Sequence, residues 1–180
     1  MAELNTAQLN SILSSNFFAR CGFGGVYASD KLPKHVPWGK RIYIANTDPA
    51  DKPGEHWVAF YFNSNNTCVY FDSFGLPPLR ASFIRFMEDN SERWIYSSKR
   101  LQHPSSKLCG YYCIFFIHLM CKGETLDGVV KALSDDLKWN DRMVQDFVTH
   151  YHEIDMSPAQ PSPCSQTCRM AKRCDYLFLQ

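Results

Sequence analysis

The chain has 180 residues, 45% of them hydrophobic and 14% aromatic, which is enough apolar content to build the core of one globular domain. Its 19 Lys and Arg against 18 Asp and Glu give a net charge of +1, so charge alone does not indicate a nucleic-acid-binding protein. No apolar run is long enough to span a membrane and residues 1–15 do not resemble a signal peptide, so we expect an intracellular protein, in the cytoplasm or nucleus, whose eight Cys are reduced thiols.

The first half of the chain predicts one helix followed by strands. Apolar residues at helical spacing predict a helix over Thr6–Ser14, and a strand is expected over Arg41–Asn46. Two β-rich segments follow, HWVAFYFN from His56 and TCVYFDSFG from Thr67, with an Asn-rich turn between them. This pattern predicts a β-hairpin.

The hairpin brings a histidine close to a carboxylate. If Asn63 pairs with Thr67, opposed residue numbers have an even sum, so His56 and Asp72 project from the same face. Their Cα atoms then lie about 7 to 8 Å apart, within reach of an imidazole-carboxylate hydrogen bond, whereas an odd sum would separate them. Each residue also has an ordinary interpretation, as a half-buried strand histidine and as a carboxylate that caps the next turn.

The second half of the chain is mainly helical. We predict helices over about Leu79–Asp89, Asp127–Leu137 and Asn140–His152, and a short strand over Arg93–Ser97. A further helix begins at Cys109. Together these elements predict an α+β fold, with an antiparallel-centred sheet packed against a buried helix that carries this Cys at its N-terminus.

Residues 102–113, QHPSSKLCGYYC, make Cys109 the strongest candidate for a reactive group. A thiol at a helix N-terminus lies beside the positive end of the helix dipole and the unpaired first-turn N–H groups, which favour the thiolate. We expect Cys109 at the exposed tip of the helix, and Cys113 and Cys121 as packing residues deeper along it. The alternative is that Cys109 is itself a small core residue.

These residues together form a recognisable order. His56-Trp57 opens a strand, Asp72 closes the next strand in YFDSFG, and Gln-x-Pro-x-Ser-x-x-Cys-Gly runs from Gln102 to Gly110. This order resembles the adenovirus-type (adenain-like) cysteine endopeptidases and, more loosely, the wider clan of SUMO and ubiquitin-like-modifier proteases. The likeness extends to RCGFGGVYASDKLP in residues 20–33 and spans most of the chain.

The resemblance implies a role for each of these residues. Cys109 would be the nucleophile, His56 the general base and acid, and Asp72 the carboxylate that orients His56. The Gln102 side chain and the Cys109 backbone N–H would form the oxyanion hole. Two neighbours are expected in the substrate cleft: Trp57 and Gly110. Taken alone, Gln102 is an ordinary loop residue and Trp57 an ordinary core aromatic.

The chain departs from the adenoviral enzymes in one respect. Those enzymes are activated by DNA and by a short viral peptide that is disulfide-bonded to a Cys upstream of the Gln. Here no Cys lies between Trp94 and Gln102, so we expect no required cofactor, and a peptide or DNA activator only by resemblance. Basic clusters at Lys34–Arg41 and Arg169–Arg173 could contact a phosphate backbone, although solvated surface is their ordinary interpretation.

The composition changes near the C-terminus. We assign residues 1–156 to a single protease domain and residues 157–180 to a flexible tail. Three Cys in the tail and two nearby His raise the question of a zinc site, but their spacing lacks the paired arrangement of structural zinc ligands, so no metal is expected. These residues are Cys164, Cys168, Cys174, His150 and His152.

The predicted function is that of a monomeric thiol endopeptidase acting on protein substrates. By resemblance, the substrates would be precursor proteins of a virus or virus-like particle, cleaved at small-residue, Gly-containing sites in the host nucleus or virion. The length and the Asn140-Asp141 pair also resemble proteases of self-synthesising (Maverick/Polinton-type) DNA transposons. Two alternatives remain: a protease that removes SUMO or ubiquitin-like modifiers, and an inactive protease-like interaction module.

Overall fold

The computed structural model describes residues 3–16 and 18–154, and its centre is a five-stranded sheet. In chain order the strands are β1 (Phe23–Tyr27), β2 (Ile42–Asn46), β3 (Trp57–Phe62), β4 (Thr67–Phe71) and β5 (Arg93–Ile95). Each strand pairs with its neighbour in sequence. The β2, β3 and β4 strands are antiparallel, whereas β1 lies parallel to β2 and β5 parallel to β4. The predicted antiparallel-centred sheet is confirmed.

The β3–β4 hairpin has the predicted register. Phe60 pairs with Tyr70, and the Asn63 N–H donates to the Thr67 carbonyl at 3.0 Å. The turn contains Asn66 with φ of 53°, a left-handed conformation that Asn tolerates better than most residues. The Asn63 side chain closes the turn by accepting from the Thr67 N–H at 3.1 Å. Successive residues along each strand of the hairpin therefore point to opposite faces of the sheet, as expected.

Helices cover both faces of the sheet. They are α1 (Thr6–Ser15), α2 (Ala81–Glu88), α3 (Cys109–Cys121), α4 (Leu126–Lys131) and α5 (Leu137–Ile154). The α3 helix is buried along nearly its whole length, and its Phe116 ring stacks on Phe71 of β4 with centroids 4.5 Å apart. The α2 helix packs Phe83 and Phe86 against Phe60 on the opposite face. Two apolar cores thus fix both faces of the hairpin.

Strand β1 is not among the elements that the sequence pattern predicts. Gly24 and Gly25 weaken the strand signal, yet the close packing of β1 requires glycine, because a Cβ at Gly24 would lie 2.3 Å from the Tyr43 ring. The predicted helix over Asp127–Leu137 is also wrong in its second half. The Asp136 carboxylate accepts from backbone N–H groups at the start of α5, so it caps that helix.

Several expectations concern residues beyond the described part. The tail at 157–180, with Cys164, Cys168 and Cys174, and the domain boundary at 156 lie outside the described residues. Within residues 3–16 and 18–154, no helix combines the length and apolar character needed to cross a bilayer. Free thiols in this part are Cys68, Cys109, Cys113 and Cys121.

Candidate active site

The hairpin holds His56 immediately before β3 and Asp72 immediately after β4. His56 Nε2 lies 3.0 Å from Asp72 Oδ1, with side chains that are 13% and 4% exposed. The same carboxylate oxygen accepts from the Phe74 N–H at 2.7 Å. The His56 carbonyl accepts from the Thr47 N–H at 2.8 Å, which ties His56 to the end of β2. The expected pair of side chains is therefore formed and held by backbone contacts.

One face of the imidazole is covered by an aromatic ring that the sequence analysis did not single out. The Phe74 ring stacks on His56 with centroids 4.9 Å apart and an interplanar angle of 27°. Phe74 precedes Gly75, whose φ is +72°, and a Cβ there would lie 2.6 Å from the Ser98 carbonyl oxygen. Glycine thus permits the turn that returns Phe74 to the imidazole.

The pKa of His56 is raised from 6.5 to about 9. Burial on its own lowers this pKa, but hydrogen bonds to Asp72 and Cys109, together with the negative charge that each can carry, outweigh burial. His56 is therefore an imidazolium at neutral pH. Since Nε2 is engaged by Asp72, Nδ1 is the ring nitrogen left for the thiol.

Cys109 begins α3 and is only 3% exposed. The expectation of an exposed tip is therefore wrong. The N-terminal segment covers the start of α3, because a Cβ added to Gly110 would lie 3.2 Å from Leu4 and 3.4 Å from Trp57. No side chain among the described residues caps this helix at Leu108. The thiol thus lies at an uncapped, buried helix N-terminus in contact with His56.

Gln102 is fully buried in the loop before α3. Its Oε1 accepts from the Ser73 hydroxyl at 2.6 Å. Its Nε2 donates to the Ser106 carbonyl at 2.9 Å and lies 3.0 Å from Ser106 Oγ. The amide is therefore fully engaged within the protein, and an oxyanion could take one of its hydrogens only by replacing a Ser106 contact.

The Gln102 loop is also held through its backbone. The Leu101 and Gln102 N–H groups both donate to the Ser73 carbonyl, at 2.9 and 3.0 Å. The Leu101 carbonyl accepts from Asn140 Nδ2 and from the Tyr112 hydroxyl, each at 3.0 Å. The loop is thus fixed to the end of β4, to α3 and to α5.

One cavity is lined by Trp57, and another is lined by the His56 and Asp72 pair. A cavity of about 490 Å³ is lined by Leu4, Trp57 and the 46–54 loop, and Trp57 Nε1 donates to the Leu4 carbonyl at 2.9 Å. A second cavity of about 480 Å³ is lined by His56, Phe74 and the apolar segment that follows. Trp57 thus lines a cavity, and Gly110 is buried against the N-terminal segment, while their place in a substrate cleft stays a prediction.

The free cysteines of α3 differ in environment, which predicts selective alkylation. Burial raises the pKa of Cys113 well above its usual value, and the charges at Cys109 and Asp72 add to that effect. Burial also raises the pKa of Cys121 to about 12. With iodoacetamide at pH 7 we expect Cys109 to be labelled first, measured by peptide mass spectrometry. Equal labelling of Cys109 and Cys113 in native protein would contradict this, and denatured protein is the control.

The described residues do not contain a candidate metal site. Across residues 3–16 and 18–154, no three His, Cys, Asp or Glu side chains are grouped so that they could hold a metal ion. The zinc hypothesis rested mainly on Cys164, Cys168 and Cys174, which lie outside these ranges.

The sequence of the chain is similar to the sequences of several viral proteins named as proteases. The chain is 34% identical over 110 residues to a protease of Human adenovirus B serotype 3, covering 53% of this chain and 49% of the relative. It is 33% identical over 97 residues to a protein of Acanthamoeba polyphaga mimivirus named as a thiol protease, covering 48% of this chain and 32% of that protein. No protein-family profile matches the chain.

A solved structure also resembles this fold. The crystal structure of an ASFV protease superimposes with a TM-score of 0.50 and 22% identity, covering 64% of this chain and 46% of that chain. The predicted fold and the predicted resemblance to adenovirus-type proteases are confirmed. The chain spans about half the length of the adenovirus relatives that it matches.

Proposed function

We propose that this chain, which resembles the adenovirus proteases, is a cysteine endopeptidase with Cys109 as its nucleophile. The observation that carries the proposal is the contact sequence from Asp72 to His56 to Cys109. Asp72 accepts at His56 Nε2, and the Cys109 thiol at the N-terminus of α3 interacts with the same imidazole and raises its pKa. A base, an orienting carboxylate and a thiol in this order are the parts that nucleophilic catalysis requires.

In the reacting form His56 holds the proton of the Cys109 thiol, so the sulfur acts as a thiolate. The Cys109 thiolate attacks the peptide carbonyl carbon, and the carbonyl electrons move to its oxygen. Collapse of this intermediate expels the amine, which takes its proton from His56 Nδ1. A water molecule, deprotonated by His56, then hydrolyses the thioester, releases the acid product and restores the Cys109 thiolate beside protonated His56.

The oxyanion would be stabilised by the Cys109 N–H and by Gln102 Nε2. The uncapped start of α3 supports the first donor. The second requires the substrate oxygen to displace Ser106 Oγ, the longer of the two contacts of Nε2. This exchange of acceptors keeps the Nε2 hydrogen bonded throughout. Such a donor contributes on the order of 3 kcal/mol to the transition state.

The proposed substrates are precursor proteins of a virus or virus-like particle, cleaved at Gly-containing sites. A nucleophile that is only 3% exposed, beside the Leu4 and Trp57 contact, favours a narrow extended backbone over bulky side chains. The resemblance of the chain to viral proteases supports viral precursor proteins as the substrates. We propose that the chain acts as a monomer and requires neither peptide nor DNA.

The proposal is tested with two substrate sets and no added activator. One set contains Gly-containing peptides, and the other contains fluorogenic derivatives of SUMO and ubiquitin C-termini. We expect turnover of the peptides. Turnover of the modifier derivatives alone would replace the proposal by a deconjugating protease. Absence of turnover, together with no labelling of Cys109 by a peptide-based thiol probe, would leave an inactive module.

The raised pKa of His56 predicts the alkaline limit of activity. We expect kcat/KM to fall about tenfold per pH unit above pH 9, as His56 loses the proton that the leaving amine needs. Asp72 and Cys109 set this pKa, and Glu55 and Arg80 line the adjoining cavity. An alkaline limb near pH 6.5 would contradict the assignment of this limb to His56. Profiles measured with two different peptides exclude a shift of the limb caused by the substrate.

The same pKa shift links stability to pH. Because the pKa of His56 rises on folding from 6.5 to about 9, its contribution to the free energy of unfolding is complete below pH 6.5 and is lost as the pH rises through 9.

A further inference from the structure

Ser73 lies between two parts of the proposed site, the His56 and Asp72 pair and the loop that carries Gln102. It directly follows Asp72 and is 1% exposed. Its hydroxyl donates to Gln102 Oε1 at 2.6 Å, although the two residues are 29 positions apart in sequence. An amide oxygen can only accept, so the hydroxyl must be the donor. This contact therefore defines which end of the Gln102 amide faces Ser73.

The other end of the amide has a matching partner. With Oε1 on Ser73, Nε2 faces the Ser106 carbonyl at 2.9 Å. Rotating the amide by half a turn would place Oε1 against that carbonyl, so two acceptors would meet in a buried site. The orientation of the Gln102 side chain is therefore specified at both ends, and Ser73 supplies the donor at one of them.

Ser73 also fixes the position of the Gln102 backbone. Its carbonyl accepts from both Leu101 and Gln102 N–H groups, at 2.9 and 3.0 Å. One residue therefore contacts both the backbone and the side chain of Gln102. Because Asp72 is the preceding residue, a single turn carries the contacts of the proposed general base and those of the proposed oxyanion donor.

We propose that Ser73 is a positioning residue for Gln102. Its hydroxyl holds Oε1, so the NH2 group stays on the side of the loop that leads to Cys109. There, one NH2 hydrogen can exchange its contact with Ser106 Oγ for a contact with the oxyanion. The inference rests on the proposed function. It predicts that the hydroxyl contributes to the chemical step, since the oxyanion is formed there, and contributes little to substrate binding.

The test is Ser73→Ala, assayed on a peptide that the wild-type chain cleaves. We expect kcat to fall roughly 10-fold to 100-fold with KM nearly unchanged. The alkaline limb of the pH profile should stay at its wild-type position, because the contacts of Asp72 are kept. A shifted limb would show that the variant disturbs the turn, and would overturn the inference.

A double-mutant cycle separates positioning from a general loss of stability. In a Gln102→Ala background, Ser73→Ala should lower kcat no further, since the group that it positions is absent. Additive losses would overturn the inference. Ser73→Cys, which keeps a weak donor, should give an intermediate kcat, and it provides the comparison if the Ala variant does not fold.

Ser91→Ala is the matched control. Its hydroxyl donates to the Met87 carbonyl at 2.7 Å, at the end of α2. Removing this hydroxyl also loses one serine hydrogen bond, but one that does not involve Gln102. We expect this variant to retain wild-type kcat. Wild-type turnover combined with an unchanged kcat in Ser73→Ala would refute the positioning role alone. Absence of wild-type turnover would refute the proposed function and the inference with it.

Discussion

Cys109→Ala is expected to abolish peptide cleavage, with kcat/KM lowered by at least roughly 10,000-fold. The reason is that the proposed acyl-enzyme forms on this sulfur, and neither a methyl side chain nor a water molecule can replace it beside His56. The protein should remain folded, because the change removes one sulfur atom at the start of α3 and leaves the helix backbone intact. The measurements are steady-state cleavage and thermal unfolding of the same preparation.

The control for this prediction is Cys113→Ala. Cys113 lies one turn deeper in α3 and is 1% exposed, so its loss creates a small cavity without touching the proposed reaction. We expect a lower melting temperature with nearly unchanged kcat. Retained cleavage by the Cys109→Ala variant would reject Cys109 as the nucleophile, whatever the behaviour of Cys113.

Asp72→Asn is expected to have the second largest effect, with a loss in kcat/KM on the order of 1,000-fold. Asn is nearly isosteric and can still accept from the Phe74 N–H, so the turn should persist. It removes the negative charge that favours protonated His56. The alkaline limb of the pH profile should therefore move below its wild-type position near pH 9.

This second prediction is checked by complete pH profiles rather than by one rate. Asp135→Asn is a suitable control, because Asp135 forms an exposed ion pair with Lys99 at 2.9 Å and has no contact with His56. We expect that variant to keep both the wild-type rate and the wild-type limb. An Asp72→Asn limb that remains near pH 9 would show that Asp72 does not set the protonation of His56.

The parts of the site that are local in sequence could be predicted. The hairpin register followed from the Asn-rich turn and from the period of two along a strand, and it placed His56 and Asp72 on one face. The start of α3 at Cys109 followed from the long apolar run after it. Roles for these residues, and for Gln102, came from the resemblance to known proteases and stay predictions.

The contacts between distant segments could not be predicted. Burial of Cys109 depends on the packing of the N-terminal segment near Trp57, which no local pattern specifies. The contact of Ser73 with Gln102 joins residues 29 positions apart, and Ser73 alone is a common turn residue. Such pairings depend on where the tertiary fold places each loop, so the sequence pattern indicates the participants without their partners.

The two backbone bonds accepted by the Ser73 carbonyl have a consequence for the order of folding. The β3–β4 hairpin can form the His56 and Asp72 pair from nearby residues, because short loops close quickly. Gln102 comes from a later segment, and we expect it to join that pair when its loop docks on Ser73. A nascent or partly unfolded chain would therefore lack activity. Hydrogen exchange at the Leu101 and Gln102 amides would report the moment at which the candidate site is assembled.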